Sequence, residues 1–140
     1  MLYLEGETSQ TWPAVARILG ADEQLLMVVQ MYSADDPPPQ PFQPSSVPQW
    51  LKTVTTFGDD SVPISSDPIV VDDGVLTAVA TVLTGDSEED GDFALYRPGE
   101  REWVAAAVPH ERMVLVVDDS LLDALQDAGL PVSPEPPEWW

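Results

Sequence analysis

Six prolines fall within residues 35–48, "DDPPPQPFQPSSVP", and this segment limits the fold more than any other. Proline fixes φ and removes a backbone donor, so neither a helix interior nor a paired strand is expected to run through it. Regular structure must then be assembled from the chain before the segment and the chain after it. A stretch this long without regular structure is either a functional loop or a stiff connector between the two parts.

Before it, "LYLE" opens as a short strand. "TSQTWPAVARILG" carries helix signals, with Ser9 or Thr11 able to cap, Pro13 suited to a first turn and Gly20 to the exit. Trp12, Val15, Ile18 and Leu19 fall at helical spacing, which makes Trp12 a core residue. "LLMVVQMYS" follows as a buried strand.

After it, "SSVPQWLKTVTTFG" offers serine caps, Pro48 in a first turn and Gly58 at the end, and reads as a short helix. "PIVV" and "VLTAVATVLT" flank "DDG", and Asp-Gly between apolar runs signals a hairpin. "VLTAVATVLT" fits period 2 and period 3.6 alike; its valines and threonines and the adjoining turn favour a strand. "DFALY" and "REWVAAAV" flank "RPGE" as a second hairpin that places Trp103 in the core, and "RMVLVV" is another buried strand. "DDSLLDALQDAG" starts on an acidic or serine cap, carries Leu121, Leu122 and Leu125 on one stripe and stops at Gly129. Local connections of this kind predict an α+β fold, a mostly antiparallel sheet of about five strands with two or three helices on one face. A single domain is expected over residues 1–134, with a short Pro/Trp tail over 135–140.

Charge narrows the partners. Twenty-five acidic residues against five basic ones leave a net charge of −20, while 44% hydrophobic residues are enough for a folded core. Nucleic acid and anionic membrane would both repel such a surface, and five scattered cations do not neutralise a phosphate backbone. A basic protein, a metal ion or a salt-rich habitat remains. The acids are dispersed as pairs, Asp35-Asp36, Asp59-Asp60, Asp72-Asp73 and Asp118-Asp119, as on a folded body with charged loops. Arg97, Arg101 and Arg112 are expected to balance neighbouring carboxylates.

The densest run is "DSEEDGD", with Asp86, Glu88, Glu89, Asp90 and Asp92 and no cation among them. Its alternating oxygens and Gly91 partly match a helix-loop-helix calcium loop. That loop needs a bidentate glutamate at its twelfth position, where this chain has Arg97, so no metal site is assigned. The single histidine, His110, and the absence of cysteine rule out a zinc site of ordinary type. No "GxSxG" elbow, Gly-rich phosphate loop or selected carboxylate pair marks a reaction, and neither catalysis nor a cofactor is expected. With no basic leader followed by an apolar run and no apolar stretch of roughly 18 residues, a cytoplasmic protein is expected.

The last third, "FALYRPGEREWVAAAVPHERMVLVV…LLDALQDAGLPVSPEPPEWW", resembles the C-terminal part of small immunity proteins paired with bacterial polymorphic toxins. Those show a hairpin ending in Gly-Glu, a "VPxE" step, a helix, and a Gly-x-Pro segment ending near tryptophan. Leu95, Tyr96, Gly99, Glu100, Val108, Pro109, Glu111, Gly129, Pro131 and Trp139 occupy the matching positions, and the chain departs by inserting "RMVLVVDD" before the helix and by its extra prolines. The resemblance implies inhibition of a toxin by an acidic surface laid over its active site. The partner-binding residues expected are Asp86, Glu88, Glu89, Asp90 and Asp92 as electrostatic contacts, with Trp139 and Trp140 as aromatic anchors. Alternatively the tryptophans fold back against the core. Two other functions fit the same charge: a DNA mimic of the anti-restriction or anti-CRISPR kind, acting on a nucleic-acid-handling enzyme, or an assembly component of a phage or secretion system.

Overall fold

The computed structural model describes residues 1–32, 35, 37–45, 51, 52, 54, 64–84 and 91–140. In chain order the elements are β1 (Leu2–Glu5), α1 (Thr8–Leu19), β2 (Leu26–Met31), β3 (Ile64–Ser65), β4 (Ile69–Val70), α2 (Asp73–Thr84), β5 (Gly91–Tyr96), β6 (Trp103–Val108), β7 (Met113–Val116), α3 (Leu122–Asp127) and β8 (Val132–Ser133). One antiparallel sheet takes all eight strands in the order β3-β2-β5-β6-β7-β1-β8, with β4 also on β2. β3 and β4 pair with opposite ends of β2 and so share one edge position. The α+β class holds, with more strands than expected, because the short pieces β3, β4 and β8 complete the two edges.

Alternation along the strands builds two apolar layers. Leu2, Leu4, Met27, Val29, Phe93, Leu95, Val114 and Val116 face α1, α2 and α3, which meet them through Trp12, Val15, Leu76, Val79 and Leu125. All three helices therefore lie on one face. Ala105 and Ala107 of β6 are fully buried beneath them, and α1 crosses over β6 and β7. A shift of register between β5 and β6 pairs Leu95 with Ala105 but Tyr96 with Trp103. That extra residue on β6 turns Trp103 to the other face, a bulge that simple alternation would not place.

The second face carries Val28, Ala94, Tyr96, Trp103, Ala106 and Met113, and Val54 packs on it. Buried Gln30 holds the covering chain: its amide donates to the Lys52 carbonyl at 3.2 Å, and its Oε1 accepts from the Val54 amide at 2.9 Å. The Tyr96 hydroxyl adds a 2.9 Å bond to the same Lys52 carbonyl. The expected helix over 45–58 lies mostly outside the described residues, and Leu51, Lys52 and Val54 are not helical.

Residues 73–84 are a helix, not the second strand of a hairpin. Leu76, Val79 and Leu83 are its buried residues and share one stripe at helical spacing. The threonine hydroxyls turn back on the helix: Thr77 donates to the Asp73 carbonyl at 2.9 Å and Thr81 to the Thr77 carbonyl at 3.1 Å. "DDG" is then a helix start, with Asp72 accepting from the Val75 amide at 2.8 Å. The proline segment also departs from expectation at one point, where Pro44 bridges Ser66 at the sheet edge and Phe42 is buried.

Candidate functional site

Three adjacent strands end together around Asp92. β2 leads out to Tyr32, β5 begins at Gly91 and carries Asp92, and β6 runs into a 3-10 turn, Pro109–Glu111, that holds His110. Asp92 pairs in register with Gln30 and shares a face with Ala94 and Tyr96, so its carboxylate points into the second layer, where its residue is 1% exposed. The Tyr32 hydroxyl donates to Asp92 and lies 2.6 Å from His110 Nδ1. Because that hydroxyl has one proton and gives it to Asp92, Nδ1 carries the proton of the second bond and donates to the tyrosine oxygen. His110 Nε2 is 3.4 Å from Glu111, and Nδ1 is 4.0 Å from Asp92. The Tyr32 and His110 rings meet edge to face at 5.3 Å.

Burial pushes the Asp92 carboxyl up to about 6; the Tyr32 hydrogen bond and His110 pull it down, and Glu111 pushes it up again. The Tyr32 hydroxyl is driven well above the ordinary tyrosine range by burial and by the Asp92 charge. Near neutrality the cluster thus holds a carboxylate that gains or loses a proton easily. When Asp92 is protonated its O–H donates to Tyr32, and the Tyr32 hydroxyl can then donate to Nδ1 only in the imidazole tautomer that carries its proton on Nε2, the nitrogen facing Glu111. Gly91 makes the entry to this strand possible: a Cβ there would stand 2.5 Å from the Gln30 carbonyl oxygen.

Of the acidic residues nominated from the sequence, Asp86, Glu88, Glu89 and Asp90 lie outside the described residues. Asp92 differs from a solvent-facing carboxylate: it is the buried end of the run and reaches the surface through Tyr32 and His110. Trp139 and Trp140 come together, with ring centroids 5.8 Å apart, and Trp140 also meets Tyr3 of β1 edge to face at 6.4 Å. The tail has folded back on the sheet, yet the rings stay 51% and 36% exposed. Trp139 Nε1 donates to Glu5 at 3.2 Å. Glu5 pairs with Met113, which pairs with Val108, so the aromatic corner and the Asp92 cluster share the same face and the same end of the sheet.

Tyr32, His110 and Glu111 were not nominated as a group. Among the described residues, no group of three or more His, Asp or Glu is arranged to hold a metal. A cleft of about 170 Å³ lies away from the cluster, between α1 and the β4–α2 junction, lined by Arg17, Glu23, Asp72 and Asp73 among others. No helix among the described residues is long and apolar enough to cross a membrane. A scan against protein-family models found no match, and comparison with curated proteins and with solved structures found none either.

Proposed function

We propose that this protein is a small acidic inhibitor-type binding protein, one that covers the basic surface of a partner protein as an immunity protein covers its toxin. The observation that carries this reading is where the cations go. Lys52 pairs with Glu102 at 3.1 Å, Arg97 with Glu23 at 3.0 Å, Arg17 with Asp73 at 4.0 Å, and Arg112 with Glu7. Four of the five cations are thus paired to the chain's own carboxylates, and Arg101 is in no ion pair among the described residues. Little positive charge is left to offset the acids of a −20 molecule, which suits a partner of opposite sign. The resemblance of the last third to immunity proteins points the same way.

In this reading the end of the sheet is the contact. The run from Asp86 to Asp90 supplies charge, and Trp139 and Trp140 supply aromatic surface. His110 and Glu111, at the β6–β7 connection, lie between the strand that the run leads into and the aromatic corner, with Asp92 bonded beneath them through Tyr32. Steering by such charge speeds encounter and weakens with salt.

The test is capture of partners from host lysate on the immobilised protein, eluted in a salt gradient and identified by mass spectrometry. One stoichiometric basic protein is expected, lost when Asp86, Glu88, Glu89, Asp90 and Asp92 are changed together to Asn or Gln. Recovery of several DNA-handling proteins, each displaced by duplex DNA, would replace this reading with a DNA mimic. No basic partner at low salt would end it.

A further inference from the structure

Exposed tryptophans that are nonetheless held in place call for an explanation. Tyr3, Trp140 and Trp139 follow one another edge to face, with interplanar angles of 66° and 72°. Successive near-perpendicular rings make a corner rather than a flat stack, and the outer ring is locked by its hydrogen bond to Glu5. Glu5 has no cation partner among the described residues; the nearby Arg112 is committed to Glu7. Glu135 and Glu138 of the same tail are exposed as well.

Each class of occupant meets this corner differently. A purely apolar partner would cover the rings but strip water from Glu5 and leave its charge unpaired, which is costly. An acidic partner would be repelled. A cation satisfies both parts, lying on an electron-rich ring face while it pairs with the carboxylate. Between the two cationic side chains the planar guanidinium is the better fit, because it stacks on an indole and still presents N–H groups in its plane to a carboxylate.

Building on the proposed binding role, we infer that the corner formed by Tyr3, Trp139 and Trp140 against Glu5 is a recognition site for an arginine side chain of the basic partner. Glu5 has two functions there: it orients Trp139 and it neutralises the guanidinium. Tyr3 and Glu5 carried no signal in the sequence, since both sit in an ordinary opening strand.

The probe is the tripeptide acetyl-Gly-Arg-Gly-amide, titrated into the full-length protein while the indole N–H signals are followed by NMR. Trp139→Ala identifies the relevant signal by its loss. A saturable shift of the Trp139 signal is expected, with a Kd on the order of millimolar, as suits a single side chain. Glu5→Gln is expected to weaken it roughly five- to tenfold, the worth of one charge-assisted contact. The citrulline tripeptide, equal in shape but uncharged, should leave the signal in place. An equal response to citrulline, or none to arginine at any soluble concentration, overturns the site, and an equal response to the lysine tripeptide overturns the choice of arginine. The outcome is separable from the broader reading. Arginine uptake without any captured basic protein keeps the site and removes the inhibitory role, whereas partner capture indifferent to Trp139→Ala removes the site and keeps the role.

Discussion

Replacing Asp92 by asparagine is expected to stabilise the protein at neutral pH and to leave it nearly unchanged in acid. The folded-state carboxyl titrates at about 6 against an ordinary 3.8, so burial has raised it. Between those values the folded chain holds a proton that the unfolded chain has released. Stability therefore falls as pH rises through that window, and the loss is complete about one unit above 6. A shift of about two units at 1.36 kcal/mol each makes the ionised Asp92 cost about 3 kcal/mol near pH 7. Asparagine keeps an oxygen for the Tyr32 hydroxyl and has no charge to bury. The assay is urea unfolding followed by tryptophan fluorescence at several pH values from 4 to 8. At slopes of about 1–3 kcal/mol/M, the variant's midpoint should exceed the parent's by about 1–3 M urea at pH 7 and by little at pH 4. Only the difference between the two proteins bears on Asp92, because every other titrating group is common to both. A difference that stays constant from pH 4 to pH 8 would refute the reasoning.

Other perturbations follow from the same contacts. Tyr32→Phe removes the donor that holds Asp92 down, so the pH window should move upward, read by the same unfolding series. Gly91→Ala pushes a methyl group against the Gln30 carbonyl and is expected to cost about 1–3 kcal/mol, measured as a fall in the urea midpoint. Asp72→Ala removes the cap of α2 and should cost about 1 kcal/mol with a loss of helical circular dichroism; a hairpin at this point would show no such helical loss. Gln30→Leu leaves the Val54 amide without its acceptor and should cost about 1–3 kcal/mol, with faster hydrogen exchange at Val54.

Much of the fold was legible because its signals are local. α1 is legible through the spacing of Trp12, Val15 and Leu19 and through Gly20 at its exit. It starts earlier than expected, at Thr8 after Glu7, so that Ser9 and Thr11 do not cap it and Pro13 lies inside it. The β5–β6 hairpin is legible through "RPGE", and α3 through Leu121, Leu122, Leu125 and Gly129, which has φ +79°. α2 was misread because threonine's strand preference assumes its hydroxyl and methyl groups pack on a sheet. Here Thr77 and Thr81 spend their hydroxyls on the preceding turn, and the stripe through Leu76, Val79 and Leu83 decides. The Asp92 cluster was illegible for another reason: Tyr32 is 60 residues from Asp92 and 78 from His110 in the chain. Only strand order brings them together. One clue was available, since alternation from Ala94 and Tyr96 assigns Asp92 to a covered face, where an acid needs a partner.

The two margins of the sheet have a consequence for how this protein lives with its neighbours. On one side β3 and β4 are two residues each and are interrupted by Ser66, Asp67 and Pro68; on the other β8 is two residues long and runs straight into Pro134. Among the described residues, neither margin offers a run of free amides long enough to template another chain. Copies crowded together would meet as like-charged bodies, and the described edge strands give edge-to-edge growth too short a template to begin from.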